Sequence, residues 1–336
     1  MPCGTAPIKS SRRVSRASTE AGRGTRRRRA RERAQEAGGV WYPRWFWPSF
    51  TIPGTVWLLL LFVLPFYAIL SVAMGTVDPI FGSPVPVWNP LHWNPQAFTF
   101  VYQQTFLHGG IYQPAFVRTF AFVAVAVSLC LLIGYPVAYF ISRHGGRFRG
   151  WLLLALIAPF WISYLMRMLA WVNLLQDDGL VNKALVSLHL VRAPQHWLEG
   201  QGLTVVLGLA YGYIPYMILP LFAALDRIDR SLLEAARDLG ASPVQTFRRV
   251  TLPLSKQAIL AGTVIVMLPM FGDYYTADIL SASPRTTMVG NLIDHAIGSP
   301  FVTRAAALVV FLMVLLIVPM LYYLYSTARA TREAAA

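Results

Sequence analysis

Six apolar stretches dominate this sequence, each long enough to cross about 30 Å of hydrocarbon as a helix of roughly 20 residues. They lie near 54–75, 117–142, 150–175, 203–225, 258–281 and 305–327. A chain in lipid must satisfy its backbone groups internally, so helices are the expected element. The expected fold class is all-α: a polytopic membrane protein with six transmembrane helices. Of the 336 residues 56% are hydrophobic and only 13% charged, against about a quarter charged in a soluble domain. Pro65, Pro136, Pro159, Pro215, Pro220, Pro269 and Pro319 fall inside the runs. Neighbouring helices or water can satisfy the carbonyls that such prolines free.

The net charge of +14 would suggest nucleic acid in a soluble protein; here it is read against topology. With the N-terminus in the cytoplasm, 23 of the 29 Lys and Arg residues fall on the inner side. Arg118, Lys183, Arg192, Arg285 and Arg304 fall outside, and Arg167 lies within a span. That bias places both termini inside.

Residues 1–40 are rich in Arg, Ser and Gly and include the run Arg26–Arg29. Such a composition cannot bury a core, so a disordered basic cytoplasmic tail is expected, leaning on anionic lipid. No aromatic residue is interleaved in the run to stack on bases, so no nucleic-acid partner is expected. No apolar core marks a cleaved leader. Residues 41–53 are aromatic and proline-broken, an expected interfacial segment without regular helix. The transmembrane domain is expected over 54–330. Within it the connection 76–116 is too long for a simple link and is expected to form a small outer cap or docking surface. Gln176-Asp177-Asp178-Gly179 opens the connection 176–202 with a turn signal. Cys3 and Cys130 imply no disulfide framework.

Between the fourth and fifth spans lies a polar island, Glu234 to Pro253. Ser231 and Glu234 have capping-box spacing, which predicts a helix opening at Ser231 and running to Leu239. Gly240 is placed at C′, where a left-handed backbone costs it nothing. Ser242 then serves as N-cap, Pro243 as first helical residue, and Gln245 completes a second capping box. Pro253 is expected to end that helix and hold Leu252 extended. Leu232, Leu233, Ala236 and Leu239 share one apolar stripe.

Glu234-Ala235-Ala236, then Gly240, then Val250, then Leu252-Pro253 resembles the EAA loop of type I ABC importer permeases, the MetI-like fold. The resemblance covers about residues 50–330, with 226–257 as the cytoplasmic coupling loop. It implies five core helices plus an additional N-terminal one. It implies that the first short helix inserts into a cleft of a cytoplasmic ATPase subunit, a coupling role carried to Glu234, Ala235, Ala236, Leu239 and Gly240. The partners implied are a second permease subunit, two ATPase subunits and an extracytoplasmic binding protein, in a bacterial inner membrane. ATP and Mg would be bound by the ATPase subunits, with no cofactor in this chain. Three further segments, Gly134–Phe140, Pro159–Ser163 and Leu268–Tyr275, resemble the spermidine/putrescine branch of these permeases. Branches carrying opines, iron or other small solutes resemble them too.

The residues themselves allow some chemistry and exclude more. Asp273 and Asp278 lie toward the outer end of the fifth span beside Tyr274 and Tyr275. Carboxylates and aromatic faces suit the ammonium groups of a polyamine. Arg167 on the third span could instead neutralise Asp273, and both readings stay open. Together Arg167, Asp273, Tyr274, Tyr275 and Asp278 are the candidate substrate pathway. Trp161, Tyr164 and Trp171 read as packing or interfacial residues. The six histidines are scattered, without HExxH or paired carboxylates, so neither a metal nor a catalytic centre is expected. None of the three lysines follows a glycine-rich phosphate loop, so the chain lacks its own ATPase site. An ion-coupled secondary transporter is the rival class; it fits poorly because no inverted repeat is evident.

Overall fold

The computed structural model describes residues 46–335 apart from positions 79, 108 and 298. The tail 1–40 and the first part of the interfacial segment, 41–45, lie outside the described residues. Helix α1, Phe46–Ala73, covers the first span. Residues 46–53, expected to be irregular, are therefore helical. Pro48 falls in the first turn, whose N–H groups have no intrahelical acceptor anyway. Pro53 removes a single bond from a segment whose other backbone groups find no better partner in lipid.

Residues from Pro65 onward cluster as one compact unit. Its centre is the pair α3 (Gln113–His144) and α7 (Gly202–Asp226). Small residues bring the two backbones together. The Cys130 thiol reaches the Ala210 carbonyl at 3.4 Å, and a Cβ on Gly134 would lie 3.3 Å from both Met217 and Ile218.

The third span departs from a straight crossing. After α4 (Arg149–Ile157) comes a 3-10 turn, Ala158–Trp161, then α5 (Tyr164–Leu175) and α6 (Leu180–Ser187). The two halves, Gly146–Trp161 and Tyr164–Ser187, meet at 89°. Pro159 tightens the end of the first half, and Ile162 and Ser163 are not helical (ψ 140° at each). With this pair counted as one, the described residues hold six candidate spans, five membrane-length helices and one bent pair.

The helix α8, Arg230–Asp238, follows α7. Next, α9 (Pro243–Thr246) does not stop before Pro253. It passes through a π turn, Phe247–Thr251, into α10 (Leu252–Phe271). Leu252 is helical (φ −64°, ψ −45°) rather than extended. The wider turn takes up the disruption that a proline without an N–H would otherwise cause. This helix ends at Phe271, ten residues earlier than expected for the span. Gly272 and Asp273 break it, and α11 (Tyr275–Leu280), α12 (Val289–Ile297) and α13 (Val302–Ala335) complete the chain.

The long connections are built structures. In 76–116, strands β1 (Thr76–Val77) and β2 (Pro84–Val85) pair antiparallel, Thr76 opposite Val85. The Val87 amide then donates to Ser71 and the Trp93 indole to Val87, before α2, Gln96–Phe106. In 176–202 the turn at Gln176 closes through the Gly179 amide (2.8 Å). The side chain of fully buried Asn182 binds Gln176, Gln195 and Trp197.

Candidate functional site

Two places carry the chemistry: the α8–α9 element, and the break between α10 and α11.

At the first, the helix begins earlier than the Ser231 pattern suggests. Asp229 is the N-cap, and its carboxylate accepts from the Ser231 amide at 3.1 Å. A carboxylate meets the positive end of the helix better than a hydroxyl does. Glu234 is thereby freed from the expected capping role and stands exposed in mid-helix. The helix ends as expected: Gly240 has φ +83°, its amide binds Arg237, and the Ala241 amide binds Ala236, which is a Schellman closure. The second capping box is also present, with Ser242 Oγ accepting from Gln245 and Gln245 Oε1 from Ser242.

The apolar stripe divides. Leu233 is buried and Ala236 half-buried, while Leu232 is exposed and Leu239 is 89% exposed. Glu234 and Ala235 in the middle of the helix and Leu239 and Gly240 at its C-terminal end are all exposed.

The element is clamped from α3. Arg143 donates to the carbonyls of Ile228 (3.1 Å) and Leu225 (3.0 Å), at the C-terminal end of α7. Phe247 packs edge-on against Tyr135 and Tyr139, and Tyr135 bonds Ser255 at 2.9 Å. Arg149 pairs with Asp226 at 3.2 Å. The Arg149 side chain is largely exposed and that of Asp226 partly so, and such a pair adds little.

At the second place, Asp273 is 7% exposed. Its carboxylate accepts from the Thr276 amide (2.9 Å), the Thr276 hydroxyl (3.0 Å), Tyr164 (2.8 Å) and Tyr213 (3.2 Å). Asp273 thus caps α11 and ties it to α5 and α7. Gly212 makes room for this: a Cβ there would lie 2.7 Å from the Tyr164 ring.

Asp273 forms no ion pair with Arg167, so the pairing left open above is not made. Arg167 is 8% exposed and lies over aromatic rings: Phe160 at 4.2 Å, Tyr164 at 5.4 Å and Tyr211 at 6.0 Å. Tyr164 touches both charges, with its ring near the guanidinium and its hydroxyl on the carboxylate. Read from sequence as a packing residue, it is central here.

The other pathway candidates lie elsewhere. Tyr274 and Tyr275 stack on each other at 4.1 Å, and neither hydroxyl reaches Asp273. Asn291 donates to the Tyr274 carbonyl at 2.6 Å. Asp278 meets His295 at 3.2 Å. With Asp294 these two place three donor atoms within 4.8 Å of one another, the arrangement among the described residues that could hold a divalent ion.

Membrane-length apolar helices, with a buried polar node at one break and a short capped helix pair exposed between two spans, define a polytopic membrane protein. The sequence profile of the binding-protein-dependent transport system inner membrane component family matches residues 130–332. The spermidine/putrescine transport system permease protein PotB of Haemophilus influenzae is 34% identical over 239 residues, covering 70% of this chain and 78% of that protein. Its Escherichia coli K12 counterpart is 37% identical over 169 residues, 50% of this chain and 61% of that one. A chain of a bacterial alginate ABC transporter has the same fold, with a TM-score of 0.61 at 18% identity over 85% of this chain and 95% of that one. The chain belongs to the family of binding-protein-dependent transport system inner membrane components. It is therefore a multi-pass ABC importer permease, a transport subunit and not itself an enzyme.

Proposed function

We propose that this permease forms the translocation pathway for a polyamine, spermidine or putrescine, handed over by an extracytoplasmic binding protein. The observation that carries the substrate is the 34–37% identity to permeases named for spermidine and putrescine. A buried carboxylate among phenol hydroxyls and aromatic rings is consistent with a multiply charged ammonium substrate. Asp273 and Arg167 are the pathway residues favoured by burial; Tyr274, Tyr275 and Asp278 belong to the same break but sit farther from the node.

In this reading α8 is the coupling helix. Glu234, Ala235, Ala236, Leu239 and Gly240 enter a groove of a partner ATPase subunit, one of two, which binds ATP and Mg. A second permease subunit completes the pathway. Both termini face the cytoplasm, following the Lys/Arg bias. An exposed leucine at the tip of a short, capped helix supports this reading, because such a side chain gains by entering a partner's cleft.

The test is uptake of labelled spermidine by cells whose transport depends on this chain, with and without ATP depletion. ATP-dependent uptake, lost in Gly240→Pro, is the expected result. Uptake that survives ATP depletion and collapses with the ion gradient contradicts the coupling reading. Uptake of an opine or of iron, with none of spermidine, contradicts the polyamine assignment.

A further inference from the structure

Arg167 is the least expected residue in this bundle. It carries a guanidinium, a five-donor cation with no acceptor of its own, and it is nine-tenths buried. Buried charges are normally paired, because an unpaired one costs several kcal/mol. Yet among the described residues Nε and Nη1 of Arg167 have no hydrogen-bond acceptor, and no carboxylate pairs with it. What holds the cation is a set of π faces: Phe160, Tyr164 and Tyr211. Trp171 packs edge-on against Tyr211 at 5.4 Å. The three caging rings are half-buried, while the guanidinium-bearing residue they surround is buried. Through Tyr164 the cage adjoins the Asp273 carboxylate.

An aromatic cage next to a carboxylate is the chemistry that selects an organic cation. Here the chain's own cation fills it. We propose that Phe160, Tyr164 and Tyr211 form a cation-binding subsite, and that Arg167 is a tethered occupant which an ammonium group of the substrate displaces. The proposal rests on the polyamine reading for the identity of that ammonium group, but not for the existence of the cage. Displacement gives the empty permease a stable resting state without an unfilled polar cavity. It also explains the missing ion pair: a guanidinium salt-bridged to Asp273 would not yield to a substrate amine.

The experiment is binding of spermidine, putrescine, methylguanidinium and tetramethylammonium to the purified full-length chain in lipid nanodiscs, by calorimetry. Arg167→Gln, which vacates the cage, is expected to bind spermidine about 10-fold more tightly than the unaltered chain, from the freed cation–π contacts. Arg167→Lys, which keeps a tethered cation, stays weak. Adding Phe160→Leu to Arg167→Gln abolishes the gain. If Arg167→Gln does not fold, Phe160→Leu alone is measured in the assembled transporter; maximal spermidine uptake falls about 5-fold with the thermal midpoint unchanged. A gain for methylguanidinium or tetramethylammonium but not for the polyamines keeps the cage and removes the polyamine reading. No gain for any cation, or full uptake by Phe160→Leu, overturns the subsite even where cells still take up spermidine.

Discussion

Asp273 and Tyr164 are the residues on which the α10–α11 break depends. Four donors converge on one carboxylate, and hydrogen bonds to a charged acceptor contribute about 1.5–3 kcal/mol each. Tyr164→Phe removes one such donor and keeps the ring over Arg167. Its thermal midpoint in detergent should fall by a few degrees and its transport rate severalfold. Tyr213→Phe, whose bond is longer at 3.2 Å, should cost less. Gly240 makes a different demand. No atom lies within 4 Å of a Cβ placed there, but its φ is +83°, so Gly240→Ala is strained by about 1 kcal/mol without any clash. Such a variant should reach the membrane in normal amount and show reduced uptake in a transport assay.

At the scale of elements, α8 is held by its neighbours more than by itself. Leu233 is its buried anchor, and Arg143 ties the α7 end that feeds it. Arg143→Ala should remove about 3–6 kcal/mol of charge-assisted hydrogen bonding, from two such bonds, and loosen α8 without unfolding the bundle. The expected signature is ATP hydrolysis by the assembled transporter that no longer drives uptake, measured side by side in proteoliposomes. Much of this element was legible in the sequence. Gly240, Ser242, Pro243 and Gln245 act as their local chemistry demands, because caps and turns are decided within four residues. What failed was decided either by a competing group nearby or by contacts at longer range. The helix start at Ser231 lost to the carboxylate of Asp229, a competing cap two residues upstream. Leu252 was expected to be extended because a proline normally restricts the residue before it. A π turn absorbs that conflict, stabilised by Phe247 packing on Tyr135 and Tyr139, contacts made across more than 100 residues of chain. The bend at Ile162–Ser163 was hidden because apolarity alone does not say which way a helix points. The Tyr164–Asp273 bond was hidden because phenols and carboxylates carry no pattern that says they meet.

For the whole molecule, six apolar segments and a one-sided charge distribution were enough to reach the fold class, and the family follows from the match over residues 130–332. The chain has no phosphate-binding loop, and in the proposed reading the force for transport comes from a partner ATPase subunit. In that reading α8 is the element that receives it, with Leu239 exposed at its end. The orientation this requires can be checked by labelling single cysteines placed before α1 and after α13 with a membrane-impermeant reagent. Neither should react in intact cells. The most direct test is a photoreactive benzophenone residue at position 239, irradiated in membranes that contain the full transporter. The account predicts a covalent adduct between this chain and the ATPase subunit, changing in yield when nucleotide is added. Adducts with lipid alone, or none at any nucleotide state, would contradict it.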